Sequence, residues 1–144
     1  MIAVDTNFLV YAHRLDSPFH EAASKALETL ATGKARWSIP WPCVHEFLAV
    51  VTHPRIFKKP TPLGIALSAM QRLAQLPNVL MLAEEEEYLD RLSAVATAAK
   101  SQGGNIHDAR IAALCLLHGV SELWSADRDF SRFPALKTVN PLGS

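Results

Sequence analysis

Met1-Ile2-Ala3-Val4-Asp5-Thr6-Asn7 limits what this chain can fold into more than any other stretch. Apolar residues run straight into a carboxylate and two small polar residues, and the helix-compatible Phe8, Leu9, Val10, Tyr11 and Ala12 follow at once. A strand covered on both faces reads as a continuous apolar run, so this is a short interior strand ending at Asp5, with Thr6 or Asn7 capping the next helix. In an open parallel sheet the functional crevice lies just beyond the carboxyl ends of the strands. An acid at position 5 therefore stands at the active edge.

The remaining pattern extends this start into alternating helices and strands. A helix is predicted over residues 19–32, with Ala22, Ala23, Ala26, Leu27 and Leu30 as its apolar stripe and Gly33 as its end. Trp37-Ser38-Ile39 reads as a second strand closed by Pro40, and Pro42 suits the first turn of a helix over residues 43–52. Residues 53–62, punctuated by proline, form a loop before a helix over 63–75. Val79-Leu80-Met81-Leu82 is expected as a third buried strand, and the acidic run Glu84, Glu85, Glu86, Glu87 as the opening of a helix that reaches Ser101. Gly103-Gly104 ends it, Asn105-Ile106-His107-Asp108 starts another, residues 120–124 supply a fourth strand, and residues 136–139 a small edge strand. Short apolar strands alternating with helices imply right-handed crossovers and an α/β architecture with a mostly parallel sheet of four to five strands.

At 144 residues, 49% hydrophobic and 19% charged, the chain fits a single globular domain over 1–144. Fourteen Lys and Arg balance fourteen Asp and Glu, so any polyanion has to be gripped by a local patch or through a cation. Cys43 and Cys115 form no CxxC pair and read as buried, reduced thiols. No basic segment precedes an apolar core at the start, and the apolar stretch around residues 111–117 is too short to span a bilayer. A cytoplasmic protein without membrane contact is expected.

Four acids share similar structural addresses: Asp5 at a strand end, Glu46 in an otherwise apolar helix, Asp108 in the first turn of a helix and Asp127 just past a strand. Singly, each has a local explanation: Asp5 as a helix cap, Glu46 as half of an ion pair, Asp108 completing a capping box with Asn105, Asp127 or Asp129 holding a turn. Jointly they repel one another unless a cation compensates them. Hard oxygen ligands select magnesium or manganese, which keep positions open for a substrate phosphate. Phosphodiester hydrolysis is the natural chemistry for such a site.

In order and spacing, Val4-Asp5-Thr6-Asn7, Glu46, Asp108 with its apolar helix, and Trp124-Ser125-Ala126-Asp127-Arg128-Asp129-Phe130 resemble the PIN-domain family, especially the bacterial VapC toxins of toxin-antitoxin pairs. The ending Asn140-Pro141-Leu142 is similar as well. The resemblance implies a PIN-like domain with a parallel sheet flanked by helices, acting as a Mg2+- or Mn2+-dependent endoribonuclease on single-stranded or looped RNA. A small VapB-like antitoxin would inhibit it, and a homodimer is the expected assembly. By that likeness Asp5, Glu46, Asp108 and Asp127 form the catalytic quartet, with Asp5 and Asp108 as direct metal ligands. Glu46 and Asp127 either bind metal directly or orient its water, Asp129 is a fifth acid, and Thr6 and Asn7 shape the site. Arg128 and Arg132, flanking that site, are candidates for RNA phosphates.

Two other functions compete with this reading. Transfer through an aspartyl-phosphate at Asp5 lacks the second Asp of an Asp-x-Asp start, because position 7 is Asn. A PIN-like RNA- or protein-binding module without catalysis has no need of all four acids. His45-Glu46 lacks the second His of a zinc-protease helix, and no Gly-rich phosphate loop or G-x-S-x-G elbow is present.

Overall fold

The structure, a computed structural model describing residues 1–143, contains five parallel strands and six α-helices. In chain order these are β1 (Ile2–Val4), α1 (Thr6–His13), α2 (His20–Thr32), β2 (Trp37–Pro40), α3 (Trp41–Val51), α4 (Leu63–Ala74), β3 (Val79–Leu82), α5 (Tyr88–Ala98), α6 (Asn105–Leu117), β4 (Glu122–Trp124) and β5 (Thr138–Val139). A short 3-10 helix, Arg128–Arg132, lies between the last two strands. The sheet order is β3-β2-β1-β4-β5.

This order follows from apolarity. Ala3 and Val4 are fully buried, and β1 lies at the centre with Ile2 opposite Trp37 on one side and Glu122 on the other. From β1 the chain builds outward through β2 to β3 and then returns to the other side through β4 to β5. The direction of winding reverses between β1 and β4, which opens a crevice at the carboxyl ends of those two strands. Asp5 follows β1 there and Ser125 follows β4; the Asp5 amide donates to the Trp124 carbonyl at 2.9 Å and locks the two ends together.

Helix α1 packs on both α2 and α3, α3 on α4 and α5 on α6, and α3 also meets α6. Helix α6 buries Ala109, Ile111, Ala112, Ala113, Leu114 and Cys115. So broad an apolar surface belongs to a helix enclosed on several sides. Trp37, Phe8, Phe47 and Phe130 are the largest fully buried side chains, and both cysteines are buried and free. Among the described residues no helix is long and apolar enough to cross a membrane.

Four local expectations change. Helix α1 begins at Thr6, so Asp5 rather than Thr6 or Asn7 occupies the cap position, yet its side chain makes no capping bond because its oxygens are engaged elsewhere. Helix α5 starts at Tyr88, leaving the acidic run in the preceding turn, where Glu84 reaches across to Arg110 at 3.1 Å. Strand β3 is an edge strand and Leu80 on it is 37% exposed, so its apolar run does not mark burial on both faces. Gly104 precedes α6 with no side-chain cap, so Asn105 and Asp108 do not form a capping box.

Candidate active site

Each acid reaches the crevice by a different route. Asp5 follows β1 directly, Glu46 projects from the second turn of α3, Asp108 lies near the start of α6, and Asp127 and Asp129 belong to the turn after β4. The carboxylates of Asp108, Asp127 and Asp129 converge, each offering an oxygen within 4.8 Å of the others. Asp127 and Asp108 are half-buried and Asp129 is exposed. Asp5 lies outside this trio, although the charges of Glu46 and Asp127 act on its carboxyl.

Asp5 is 4% exposed and held from two sides. The Ser125 hydroxyl donates to Oδ2 at 2.7 Å, and the Cys43 thiol donates to Oδ1 at 3.6 Å. Burial is the main reason its carboxyl is pushed up to about 6, against the Ser125 bond and the Thr6 amide, with Glu46 and Asp127 adding repulsion. The same burial, reinforced by Asp5, keeps the Cys43 thiol protonated and therefore a donor.

Ser125 links two acids. Besides donating to Asp5, its oxygen accepts the Asp127 amide at 3.0 Å, and Asp127 Oδ1 in turn accepts the Asp129 amide at 2.8 Å. A chain of hydrogen bonds thus runs from the end of β1 to the 3-10 turn and fixes Asp127 and Asp129 relative to Asp5. Thr6 donates its hydroxyl to Glu46 Oε2 at 2.7 Å, orienting that carboxylate from α1. Asn7 Oδ1 lies 3.4 Å from the Ala126 amide, a long bond that ties α1 to the β4 turn.

The trio's electrostatics fit a cation. Burial raises the Asp108 carboxyl above its ordinary value; Asp127, Asp129 and Glu46 raise it further and Arg132 opposes them. Three hard oxygen donors brought together, one of them with its charged form disfavoured by the other two, are the donor set a magnesium- or manganese-like ion satisfies, with room left for water and phosphate. Among the described residues this is the one such group. Arg128 and Arg132 are exposed in the same turn. His107, the histidine nearest these acids in sequence, is exposed on α6.

Ser125 and Cys43 were not among the residues read as functional from sequence. Ser125 had a visible signal, a hydroxyl residue two positions before an acid at a strand end, which is a turn-forming spacing. Cys43 had none, because a buried thiol in an apolar helix is ordinary.

The PIN domain family model matches residues 2–136. The chain belongs to the PIN-domain family. Among curated relatives it is similar to Ribonuclease VapC48 of Mycobacterium tuberculosis, 31% identical over 137 residues that cover 95% of this chain and 94% of that protein. It is also similar to Ribonuclease VapC43 of the same organism, 35% identical over 142 residues, covering 99% and 96% respectively. In fold it is similar to a chain of VapBC2 from Rickettsia felis, solved bound to a DNA fragment from its promoter, with a TM-score of 0.69, 19% identity and coverage of 97% and 98%.

Proposed function

We propose that this chain is a metal-dependent endoribonuclease of the VapC toxin type, with residues 1–144 working as a single nuclease domain on single-stranded or looped RNA. The observation that carries the reading is the convergence of Asp108, Asp127 and Asp129 to within 4.8 Å at the switch point of a parallel sheet. Similarity to ribonucleases along nearly the whole chain supports the same activity. Asp108, Asp127 and Asp129 would hold Mg2+ or Mn2+, with Asp5 and Glu46 completing the acidic wall. When bound, the cation would supply Lewis-acid activation of the phosphate and a lowered pKa for attacking water.

The protein's own groups prepare the ground. The Ser125 hydroxyl and the Thr6 amide favour the charged form of Asp5 against burial, Cys43 donates to its other oxygen, the Thr6 hydroxyl aims Glu46, and the hydrogen-bonded turn presents Asp127 and Asp129 on one side of the crevice. Arg128 and Arg132 would meet flanking phosphates, fixing register without reading sequence. An aspartyl-phosphate at Asp5 is disfavoured by its burial and by the donors on both of its oxygens. The partner expected is a small VapB-like antitoxin, the assembly a homodimer and the compartment the cytoplasm.

The test is cleavage of a structured RNA by purified protein. Mg2+ or Mn2+ should support endonucleolytic cutting, and Asp108→Asn and Asp5→Asn should each reduce it at least about a hundredfold, the scale on which transition-state charge stabilisation is lost. Cutting that survives both chelation and both substitutions would overturn the assignment.

A further inference from the structure

Beside the acidic trio lies a cavity of about 700 Å³ that the proposed chemistry leaves unused. Ser125 and Asp127 form the wall it shares with the active site, Phe133 and Leu136 lie beneath it, and Arg128 and Ser131 stand at its rim. Phe133 and Leu136 are 3% and 4% exposed, so this floor is a fixed part of the core. Arg128 and Ser131 are exposed. Thr138 on β5 also lines the cavity, and its hydroxyl is buried without a hydrogen-bond partner.

We propose that this cavity receives a nucleobase of the RNA strand next to the phosphate to be cut, an inference that rests on the nuclease reading above. The volume lies within the range of small-ligand sites, and an apolar floor with a few polar groups suits a flat aromatic ring with polar edges. Continuity with the acidic site supplies the rest of the argument. A strand whose phosphate sits at Asp127 has its neighbouring nucleotide at the shared wall, and single-stranded RNA is read through bases splayed out of the stack into such pockets. Arg128 is placed to take the phosphate between the two nucleotides. Asn140, another wall residue, is committed to its own turn through Gly143 and Leu142. That leaves the Thr138 hydroxyl, brought to the cavity by a rotation about its Cα–Cβ bond, as the group able to read a base edge.

The experiment has two arms. In the first, the cleavage position is mapped in a single-stranded RNA of randomised sequence, and substrates abasic at either flanking position are compared with the intact RNA. One abasic substrate should be cut about tenfold more slowly by the wild type, within the range of a lost base contact. Ser131→Trp, which fills the mouth of the cavity from its exposed rim, should cut intact and abasic RNA at equal, slow rates. Thr138→Val, nearly isosteric, should change the preferred base at that position. In the second arm, Asp108→Asn protein in chelator is photo-cross-linked to RNA carrying 5-iodouracil at the same position, and the adduct should map to residues 128–138. Equal cutting of intact RNA and both abasic RNAs, or adducts confined to other segments, would overturn the pocket. Protection of residues 128–138 by a co-expressed antitoxin, with RNA cross-linking elsewhere, would also overturn it and give the cavity to the protein partner. Absence of all cleavage would overturn the nuclease reading alone, because the cross-link needs no turnover.

Discussion

Asp5 carries the sharpest conflict in the molecule, since a nearly inaccessible carboxylate must stay charged beside other acids. Its carboxyl rises from an ordinary 3.8 to about 6 in the folded protein, so the folded state binds the proton more tightly than the unfolded one. Below the lower value neither state loses the proton and the conflict costs nothing. As pH climbs from 3.8 to about 6 the cost develops, and above that it is fully present, a gross penalty of about 3 kcal/mol in metal-free protein. Asp5→Asn removes this penalty, keeps an oxygen for Ser125 and sets an amide against the Cys43 thiol. A net gain of about 1 kcal/mol is expected at pH 7 in chelator, within the range usual for relieving a functional compromise. Thermal melts of both proteins at pH 4 and pH 7 check this, since the advantage should shrink at the lower pH. Ser125→Ala should act in the opposite sense, costing about 1–3 kcal/mol at pH 7 by leaving a buried carboxylate short of a donor. A mutant as stable as wild type in denaturant titration would remove Ser125 from the account of how Asp5 is held.

The 3-10 turn, Arg128–Arg132, depends on Asp127 in two ways, as a charge facing Asp108 and as the acceptor for the Asp129 amide. Asp127→Asn keeps the acceptor and removes the charge, while Asp127→Ala removes both. Both variants should lose cleavage, and the alanine variant should be less stable by about 1 kcal/mol in urea titration, the usual value of a capping bond. Equal stabilities would mean that the turn is held by packing of Phe130 and Phe133 instead. At this scale the sequence was informative where apolar runs and turn residues agreed. It exposed β1 running up to Asp5, the β2-Pro40 boundary and α4 starting at Leu63. It was less informative where one pattern had two causes. Four apolar residues mark β3 whether it is interior or at the edge, and four glutamates suit either a helix opening or the turn before it. The acids were legible because a carboxylate just past a strand, as at Asp5 and Asp127, or inside an apolar helix, as at Glu46, is conspicuous. Their division, with Asp129 inside the converging trio and Asp5 outside it, depends on distances that spacing does not carry.

For the whole molecule, a cation bound as proposed would link the turn after β4 to the start of α6, so metal should raise the melting midpoint with occupancy. Mn2+ or Mg2+ should raise the wild-type midpoint by more than that of Asp108→Asn; equal responses would place binding outside the trio. Co-expression with the proposed VapB-like antitoxin should yield a stable complex with reduced cleavage, and a complex with undiminished cleavage would refute inhibition by that partner. The sheet order has another consequence, concerning time. Asp5, which follows the central strand, emerges from the ribosome before the other acids, whereas the turn bearing Asp127 and Asp129 is made more than a hundred residues later. Long-range parallel pairing forms only after both strands exist. A chain interrupted before position 125 lacks Ser125 and two of the three converging acids, so it could not assemble the proposed site. The proposed activity therefore becomes available only after the segment through Asp129 has been made, long after Asp5.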